Sequence, residues 1–368
     1  MKEMSIHTIE ECFYQIRNGA NIKQGVVDGG YPITRIETIA NDKFNRDRMG
    51  YAGITDIKRY ESYVLEEGDL LMSHINSVQY LGRTVLYEKQ GDEIIIHGMN
   101  LLGMKANRDI LRPAYARYYF YSRPFKEQVS KITKKSVNQA SFAVADLKKI
   151  KIKVPDLEAQ KKVVEILNRL NCVIEERQQE LKKMDDLIKA RFIELFYDKN
   201  YPILKWNDVF TTTTGKLDSN AAVDSGEYPF FTCSKEVLKI DKYAFEQEAL
   251  LLAGNNAAGK YDVKYYNGKF NAYQRTYVLG LKEDWSYRLF QYQLEDKLVY
   301  LQQQSLGGLT KYLTLKILGE LEFIIPPKDK QEQFELFVDQ IDKSKVAIQA
   351  ALDKTQLLFD SLMQKYFG

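Results

Sequence analysis

A chain of 368 residues with 45% hydrophobic and 28% charged side chains has the make-up of a soluble globular protein of two or three domains. Its net charge of +3 excludes a strongly basic chain, so any affinity for nucleic acid has to come from local groupings. No apolar run reaches the ~20 residues of a membrane span. The segment Met1-Lys-Glu-Met-Ser-Ile-His-Thr8 lacks the apolar core of a signal peptide. The scattered Cys12, Cys172 and Cys233 argue for a reducing cytoplasm rather than a disulfide framework.

Residues 1–155 read as mixed strand and loop. Short runs at Tyr31-Pro-Ile-Thr-Arg-Ile36, Asp69-Leu-Leu-Met72, Thr84-Val-Leu-Tyr87 and Glu93-Ile-Ile-Ile96 are punctuated by Gly29-Gly30, Gly68, Gly82 and Gly91. A helix is predicted over Pro113-Ala-Tyr-Ala-Arg-Tyr-Tyr-Phe-Tyr121, opened by Pro113 and closed by Pro124. Residues 157–197 predict a long helix, with Asp156 as N-cap and Pro202 blocking its continuation. Leu167, Leu170, Ile174, Leu181, Met184, Ile188 and Leu195 supply its apolar seam at 3-4 spacing. Residues 200–326 form a second strand-and-loop segment. Its strand candidates are Tyr228-Pro-Phe-Phe-Thr232, Ala249-Leu-Leu-Leu-Ala253, Tyr261-Asp-Val-Lys-Tyr-Tyr266 and Tyr273-Gln-Arg-Thr-Tyr-Val-Leu279. A second long helix starts near Lys330, with Asp329 and Glu332 spaced as a capping box. Its seam runs through Val338, Ile341, Ile348, Leu352, Phe359, Leu362 and Tyr366. Arg177, Arg191, Lys345 and Thr355 break the two seams. They either fix register at some cost in stability or lay long stems over the seam with their heads in water.

The two halves repeat one another at a separation of about 171 positions. Ile150 aligns with Leu321, Ile152 with Phe323, Val163 with Phe334, Ile166 with Phe337, Leu170 with Ile341, Leu181 with Leu352, and Leu187 with Leu358. That period is too long for a solenoid. It marks a duplicated unit of globular segment plus long helix. Helices of about 40 residues span about 60 Å, are marginal alone, and need a partner of similar length. The economical arrangement packs them on each other. A two-fold axis perpendicular to the helices makes the pair antiparallel with a globular domain at each end; a parallel pair crowds both domains at one end. Residue spacing alone leaves both open.

Signatures of catalysis are absent from the sequence. Gly254-Asn-Asn-Ala-Ala-Gly259-Lys260 fits seven positions of a phosphate-binding loop, but Tyr261 stands where magnesium ligation needs Ser or Thr. The sequence beyond is strand-like, so no helix N-terminus faces a phosphate. A tight glycine turn displaying Asn255, Asn256 and Lys260 is the plainer reading. Pro155-Asp-Leu-Glu158 lacks the lysine of a nuclease metal motif, Gln160 taking its place, and Asp156 reads as a helix cap. His7, His74 and His97 show no ligand spacing with the cysteines, so no metal site is expected.

Contact chemistry is present instead. The first segment offers Thr34, Arg35, Lys43, Arg46, Arg48, Ser73, Asn76, Gln79, Arg83, Lys134, Lys135 and Asn138-Gln139. The second offers Thr232, Ser234, Lys235, Asn255, Asn256, Lys260, Gln274, Arg275, Thr310, Lys311 and Tyr312. Arg and Lys match the acceptors of guanine, Asn and Gln match adenine, and Lys, Ser and Thr in loops hold phosphates. Taken singly, each is an ordinary solvated loop residue; the grouping at glycine turns in both halves carries the suggestion.

The whole chain resembles the DNA-specificity subunit of type I restriction–modification systems. The resemblance is carried by the two long helices and by the segments entering them. These segments are Ser136-Val-Asn-Gln139 through Leu147-Lys-Lys-Ile150-Lys-Ile-Lys-Val-Pro155 to Gln160, and Gly307-Gly308-Leu-Thr310-Lys-Tyr-Leu-Thr-Leu-Lys-Ile-Leu318. Gly30-Tyr-Pro-Ile-Thr-Arg35 and Glu227-Tyr-Pro-Phe-Phe-Thr232 look like corresponding early strands. Glu67-Gly-Asp-Leu-Leu71 followed by Gly82-Arg83 looks like the family's stretch of Gly-Asp and then Gly-Arg. In the second half, Glu248-Ala-Leu-Leu-Leu-Ala253 and Gly259-Lys260 replace it without the Gly-Asp pair.

The resemblance implies an α+β fold. Two mixed α/β target-recognition domains, residues 1–155 and 200–327, are separated by a pair of long antiparallel coiled-coil helices, 156–199 and 328–368, in a pseudo-two-fold repeat. It further implies that each domain reads half of a bipartite double-stranded DNA site and that the helices set the spacer. The helices would also carry two modification subunits, which bind S-adenosylmethionine and methylate adenine N6. Two restriction subunits would add cleavage dependent on ATP and magnesium. No cofactor and no catalysis are expected in this chain. Two readings from other classes stand beside this one, a nucleotide hydrolase or nuclease built on Gly254–Lys260 and a coiled-coil scaffold.

Overall fold

The apolar spacing that predicts two long helices is realised in the computed structural model of the chain. It describes residues 4–22, 30–51, 53–136, 139–197, 200–257 and 259–368. Gly29, Asn138 and position 258 of the glycine turn lie outside the described residues. The chain divides into two compact units, residues 1–178 with 350–368, and residues 179–349.

In the first unit, β1 (Ser5–Thr8) leads into a single helical turn, α1 (Ile9–Cys12), and then β2 (Phe13–Asn18). Short strands β3 (Pro32–Ile33) and β4 (Gly50–Tyr51) pair with each other. Next come β5 (Leu70–Met72), β6 (Ile75–Asn76), β7 (Thr84–Leu86) and β8 (Leu102–Ala106). The order β2-β8-β5-β7 makes an antiparallel sheet. Helix α2 (Pro113–Tyr121) begins at Pro113 as the sequence predicts. Pro124 does more than close it, because it sits in the first turn of α3 (Arg123–Ile132). Strands β9 (Lys134–Lys135) and β10 (Ala140–Ser141), the turn α4 (Val144–Lys148) and β11 (Lys151–Val154) complete the domain, and β11 pairs back onto β1.

The run Glu93–Ile96 does not form a strand. Ile95 and Ile96 are fully buried under the loops, and Ile96 makes only isolated bridges to Ile33 and Val64. Gly68 sits at φ +90°, where a side chain is strained. That turn lets Asp69 accept from Glu66 N (2.9 Å) and face Lys105 (3.4 Å).

Helix α5 (Leu157–Phe196) is capped by Asp156, whose carboxylate accepts from Ala159 N at 2.7 Å. In the first unit its Val163 and Leu167 share a core with Tyr115, Phe120 and Phe125, and with Phe367 of α10 (Lys328–Phe367). Each such buried side chain contributes about 1.5–3 kcal/mol over leaving it in water.

The second unit repeats the plan. Strand β12 (Ile203–Lys205), the turn α6 (Trp206–Val209) and β13 (Phe210–Thr214) match β1, α1 and β2. Strands β14 (Tyr228–Phe231) and β15 (Leu238–Ile240) are followed by β16 (Phe245–Ala253), β17 (Asn255–Asn256), β18 (Val263–Ala272) and β19 (Thr276–Leu281). The order β13-β19-β16-β18 is that of the first unit's sheet, extended by β14 and β15. Tyr273–Arg275 belongs to the turn before β19, not to the strand. Helices α7 (Tyr287–Asp296) and α8 (Leu298–Gln304), strand β20 (Lys311–Tyr312), the turn α9 (Leu315–Gly319) and β21 (Glu322–Ile324) follow, and β21 pairs with β12. Ile9 N donates to Ile150 O (2.9 Å) in the first unit, and Trp206 N donates to Leu321 O (3.1 Å) in the second.

Helix α10 starts at Lys328, so Asp329 lies inside its first turn and does not form the expected capping box. There it still favours the positive end of the helix dipole. In the second unit, Ile188, Leu195 and Phe196 near the end of α5 pack on Phe334 and Val338 near the start of α10. Opposite ends of the two helices therefore meet within each unit, which makes the pair antiparallel. The aligned Leu187 and Leu358 are both half exposed rather than core. Lys345, one of the seam's polar breaks, reaches Asp185 of α5 at 2.5 Å, and Arg191 lies over the Phe337 ring at 5.8 Å.

Candidate nucleic-acid interface

About half of the contact residues singled out in the sequence collect on a small antiparallel ribbon that recurs in each unit. In the first unit, β5 continues through Ser73-His74 into β6. There Asn76 pairs with Ala140 and Ile75 with Ser141, while Ala140 and Ser141 pair on their other side with Lys135 and Lys134. In the second unit, β16 continues through Gly254 into β17, where Asn256 pairs with Lys311 and Asn255 with Tyr312. The roots carry the same hydrogen bond: Phe142 N donates to His74 O (3.2 Å), and Leu313 N to Gly254 O (2.8 Å). Asn76 and Asn256 thus occupy one register position of one motif.

The register also corrects a match drawn from sequence. Ser73 N donates to Arg83 O (2.8 Å), and Ala253 N donates to Asp262 O (3.0 Å). Asp262, not Lys260, is the counterpart of Arg83.

On the first ribbon, Lys134, Lys135 and Gln139 are exposed. The turn between β9 and β10 is closed by Ser136, whose N and Oγ both donate to Gln139 O at 2.8 Å. Asn76 donates to Ser73 Oγ (3.2 Å), so the fully buried Ser73 serves as a support and not as a contact. Gln79 is exposed nearby. Arg83 lies over the Tyr80 ring (4.4 Å) and pairs with Asp42 (2.9 Å). The root is neutral: burial lowers the pKa of His74, which favours its uncharged form. Positive charge on this edge comes from the two lysines. Tyr80 was not singled out in the sequence, and only its closeness to Arg83 offered a signal.

Five other candidates of the first segment lie off the ribbon. Thr34 is fully buried, its Oγ1 accepting from Gly98 N (2.9 Å). Arg35 lies against the backbone of Gly50. Arg46 is held by Glu93 (2.8 and 2.6 Å) and donates to Glu88 O (2.8 Å), so it fastens a loop. Lys43 reaches Glu175 of α5 at 3.0 Å. Arg48 is exposed in the same loop. Arg46 holds the Glu93 carboxyl down at about 2, with smaller help from Gln90 N and Tyr87 Oη.

The second ribbon gathers Asn255, Asn256, Lys260, Thr310, Lys311 and Tyr312. Asn256 Oδ1 accepts from Lys260 N (3.2 Å), which leaves the exposed lysine side chain beside the pair. Arg275 adjoins the root, since its carbonyl accepts from Gly254 N (2.8 Å) and from Cys233 Sγ (3.4 Å). Ser234 and Lys235 are exposed next to it, while the buried Thr232 accepts from Ser234 N (3.2 Å) and shapes the turn. Gln274 is exposed and turned towards Asp218 (3.4 Å). The Gly254–Lys260 turn runs on into strand β18 with no helix behind it, so it lacks the amide cradle of a phosphate loop. Among the described residues, no group of three His, Cys, Asp or Glu is placed to hold a metal. Nor is any helix of the described residues long and apolar enough to cross a membrane.

Comparisons with known proteins meet this geometry. Residues 2–183 and 199–356 match the family described as type I restriction modification DNA specificity domain. The putative type I restriction enzyme MjaX specificity subunit of Methanocaldococcus jannaschii is 34% identical over 197 residues, 53% of this chain and 46% of that protein. The type I restriction enzyme EcoDI specificity subunit of Escherichia coli is 32% identical over 157 residues, 41% of this chain and 34% of that protein. The matched region spans less than half of each curated relative. The solved type I restriction–modification S subunit from M. genitalium superposes with a TM-score of 0.65 at 14% identity, covering 100% of this chain and 96% of that one. A structure described by the complex assembly and conformational transition of the type I R-M system gives a TM-score of 0.52 at 15% identity, covering 100% and 98%. These two likenesses are of fold.

Proposed function

The chain belongs to the type I restriction–modification DNA specificity family, and from that premise we propose that each of its two units reads one half of a bipartite double-stranded DNA site. The observation that carries this reading is the recurrence of one ribbon in both units, with Asn76 and Asn256 in register and lysines beside them. A two-stranded ribbon fits the major groove, amides match adenine, and lysines neutralise phosphates.

In this reading the chain supplies recognition and a docking frame, and other subunits supply the chemistry. Two modification subunits bind S-adenosylmethionine, extrude an adenine and methylate its N6. Restriction subunits add cleavage driven by ATP with magnesium. The chain itself holds no cofactor, acts in the cytoplasm and is not catalytic. Against a hydrolase built on Gly254–Lys260 stands the strand that follows that turn. Against a protein-only scaffold stands the display of amide and lysine side chains on both ribbons.

The test is binding of labelled duplex DNA by the chain together with its modification subunits across a salt series. The reading expects affinity to fall linearly in log–log form, because phosphate contacts release counterions. Affinity for no duplex, or affinity indifferent to salt, overturns it.

A further inference from the structure

Within the second ribbon, the turn that joins Leu306 to Tyr312 carries a feature that charge and amide chemistry do not use. Leu309 at its tip is 95% exposed, the most exposed large apolar side chain among the described residues. The turn that presents it is tightly defined. Leu306 and Tyr312 exchange both backbone hydrogen bonds (3.1 and 2.9 Å). Gly307 sits at φ +100°, where an added Cβ would meet Thr310 O at 2.2 Å, so no other residue fits there. An added Cβ at Gly308 would meet nothing within 4 Å, which leaves the tip slim. Leu309 stands clear of the protein on a turn whose shape is set by Gly307.

Resting on the DNA-reading function above, we propose that Leu309 packs against the C5 methyl group of a thymine in the major groove of the half-site read by the second unit. The chemistry around it selects this partner. Asn255 and Asn256 on the adjoining strand place one amide on each of its faces; an amide is the group that matches adenine N6 and N7, and the thymine opposite an adenine shows its methyl group in the same groove. Lys311 on the same strand can hold a flanking phosphate. An apolar tip beside an amide is the complement of an A·T base pair. The first unit differs at this point: the repeat aligns Leu309 with Asn138, an amide. The hydrogen bond at the ribbon's root is common to the two units, while the residue type at this aligned position is not.

The test removes one methyl group from the DNA. The full chain is assembled with its modification subunits on a duplex bearing its methylated motif, and each thymine is replaced in turn by uracil. Wild type is expected to lose about three- to fourfold in affinity at one thymine, the worth of one buried methyl. Leu309→Ala is expected to bind the thymine duplex several-fold more weakly, to bind thymine and uracil duplexes equally, and to keep the salt dependence of wild type. Because Leu309 is exposed, this substitution leaves the fold intact, and an unchanged thermal midpoint checks that. Indifference of wild type to every uracil, or undiminished discrimination by Leu309→Ala, overturns the proposal. So does a loss of base unstacking in Leu309→Ala, seen with 2-aminopurine and without thymine dependence, which marks a wedge between base steps. A chain that binds no duplex defeats the DNA-reading function itself, an outcome distinct from all of these.

Discussion

Gln160 and Gln331, about 171 positions apart, share two hydrogen bonds in different surroundings. Gln160 Oε1 accepts from Arg112 N (2.8 Å), and its Nε2 donates to Pro155 O and Ile110 O (both 2.8 Å). Gln331 Oε1 accepts from Ser286 N (2.9 Å), and its Nε2 donates to Pro326 O (2.8 Å). Arg112 and Ser286 are the N-caps of α2 and α7, and both glutamines are almost wholly buried. One amide thus satisfies an orphan N–H at a helix start and a proline carbonyl in the link between a strand and a long helix. The duplication is visible here at the level of single hydrogen bonds.

Replacing either glutamine by Ala should therefore cost its own unit about 1–3 kcal/mol, since a buried amide N–H and a carbonyl lose their partner. Hydrogen exchange localises the effect. Gln160→Ala should speed exchange at the Arg112 amide, and Gln331→Ala at the Ser286 amide. Unchanged protection at both would contradict the shared role.

The Arg46–Glu93 pair gives a pH dependence with a definite sign. The Glu93 carboxyl is held at about 2 in the folded chain, chiefly by hydrogen bonds from Arg46, below the value of about 4.3 for a free Glu. A depressed carboxyl stabilises the fold fully above the unfolded value and loses that contribution as pH falls from about 5 towards 2. The difference in urea midpoint between wild type and Glu93→Gln should be largest at neutral pH and shrink below pH 5. A difference constant down to pH 3 would speak against the pair as its source.

Placement separates residues that touch DNA from those that build the fold. Lys134→Ala with Lys135→Ala should reduce the slope of log affinity against log salt by about one to two, and Lys311→Ala by about one. Exchanging the loop-fastening pair together, Arg46→Gln with Glu93→Gln, should leave the slope unchanged. If the pair moves the slope and the ribbon lysines do not, the interface lies elsewhere in the first unit.

How far the sequence led depended on periodicity. Helices α5 and α10 begin within two residues of where the spacing of Leu167, Ile174 and Ile188 and of Val338 and Ile341 puts them, because a repeated apolar stripe outweighs local noise. Pro113 marked α2 through its fixed φ. The ribbons were not legible, since strands of two residues carry no pattern. Asn76 and Asn256 are also about 180 positions apart, against about 171 for the strands that return beside them, because the intervening loops differ in length. Residue type could not say that Thr34 and Ser73 turn inward while Gln139 and Lys260 turn outward. Glu93–Ile96 looked like a strand because burial under loops selects the same isoleucines that a sheet does.

The account rests on two readers that work independently, and exchanging one of them tests it most directly. Residues 1–155 are replaced by the matching segment of a relative with a different target, and single-molecule sequencing of the methylated genome reads out the new motif. The account predicts a motif changed in one half and identical in the other. A motif altered in both halves would contradict it.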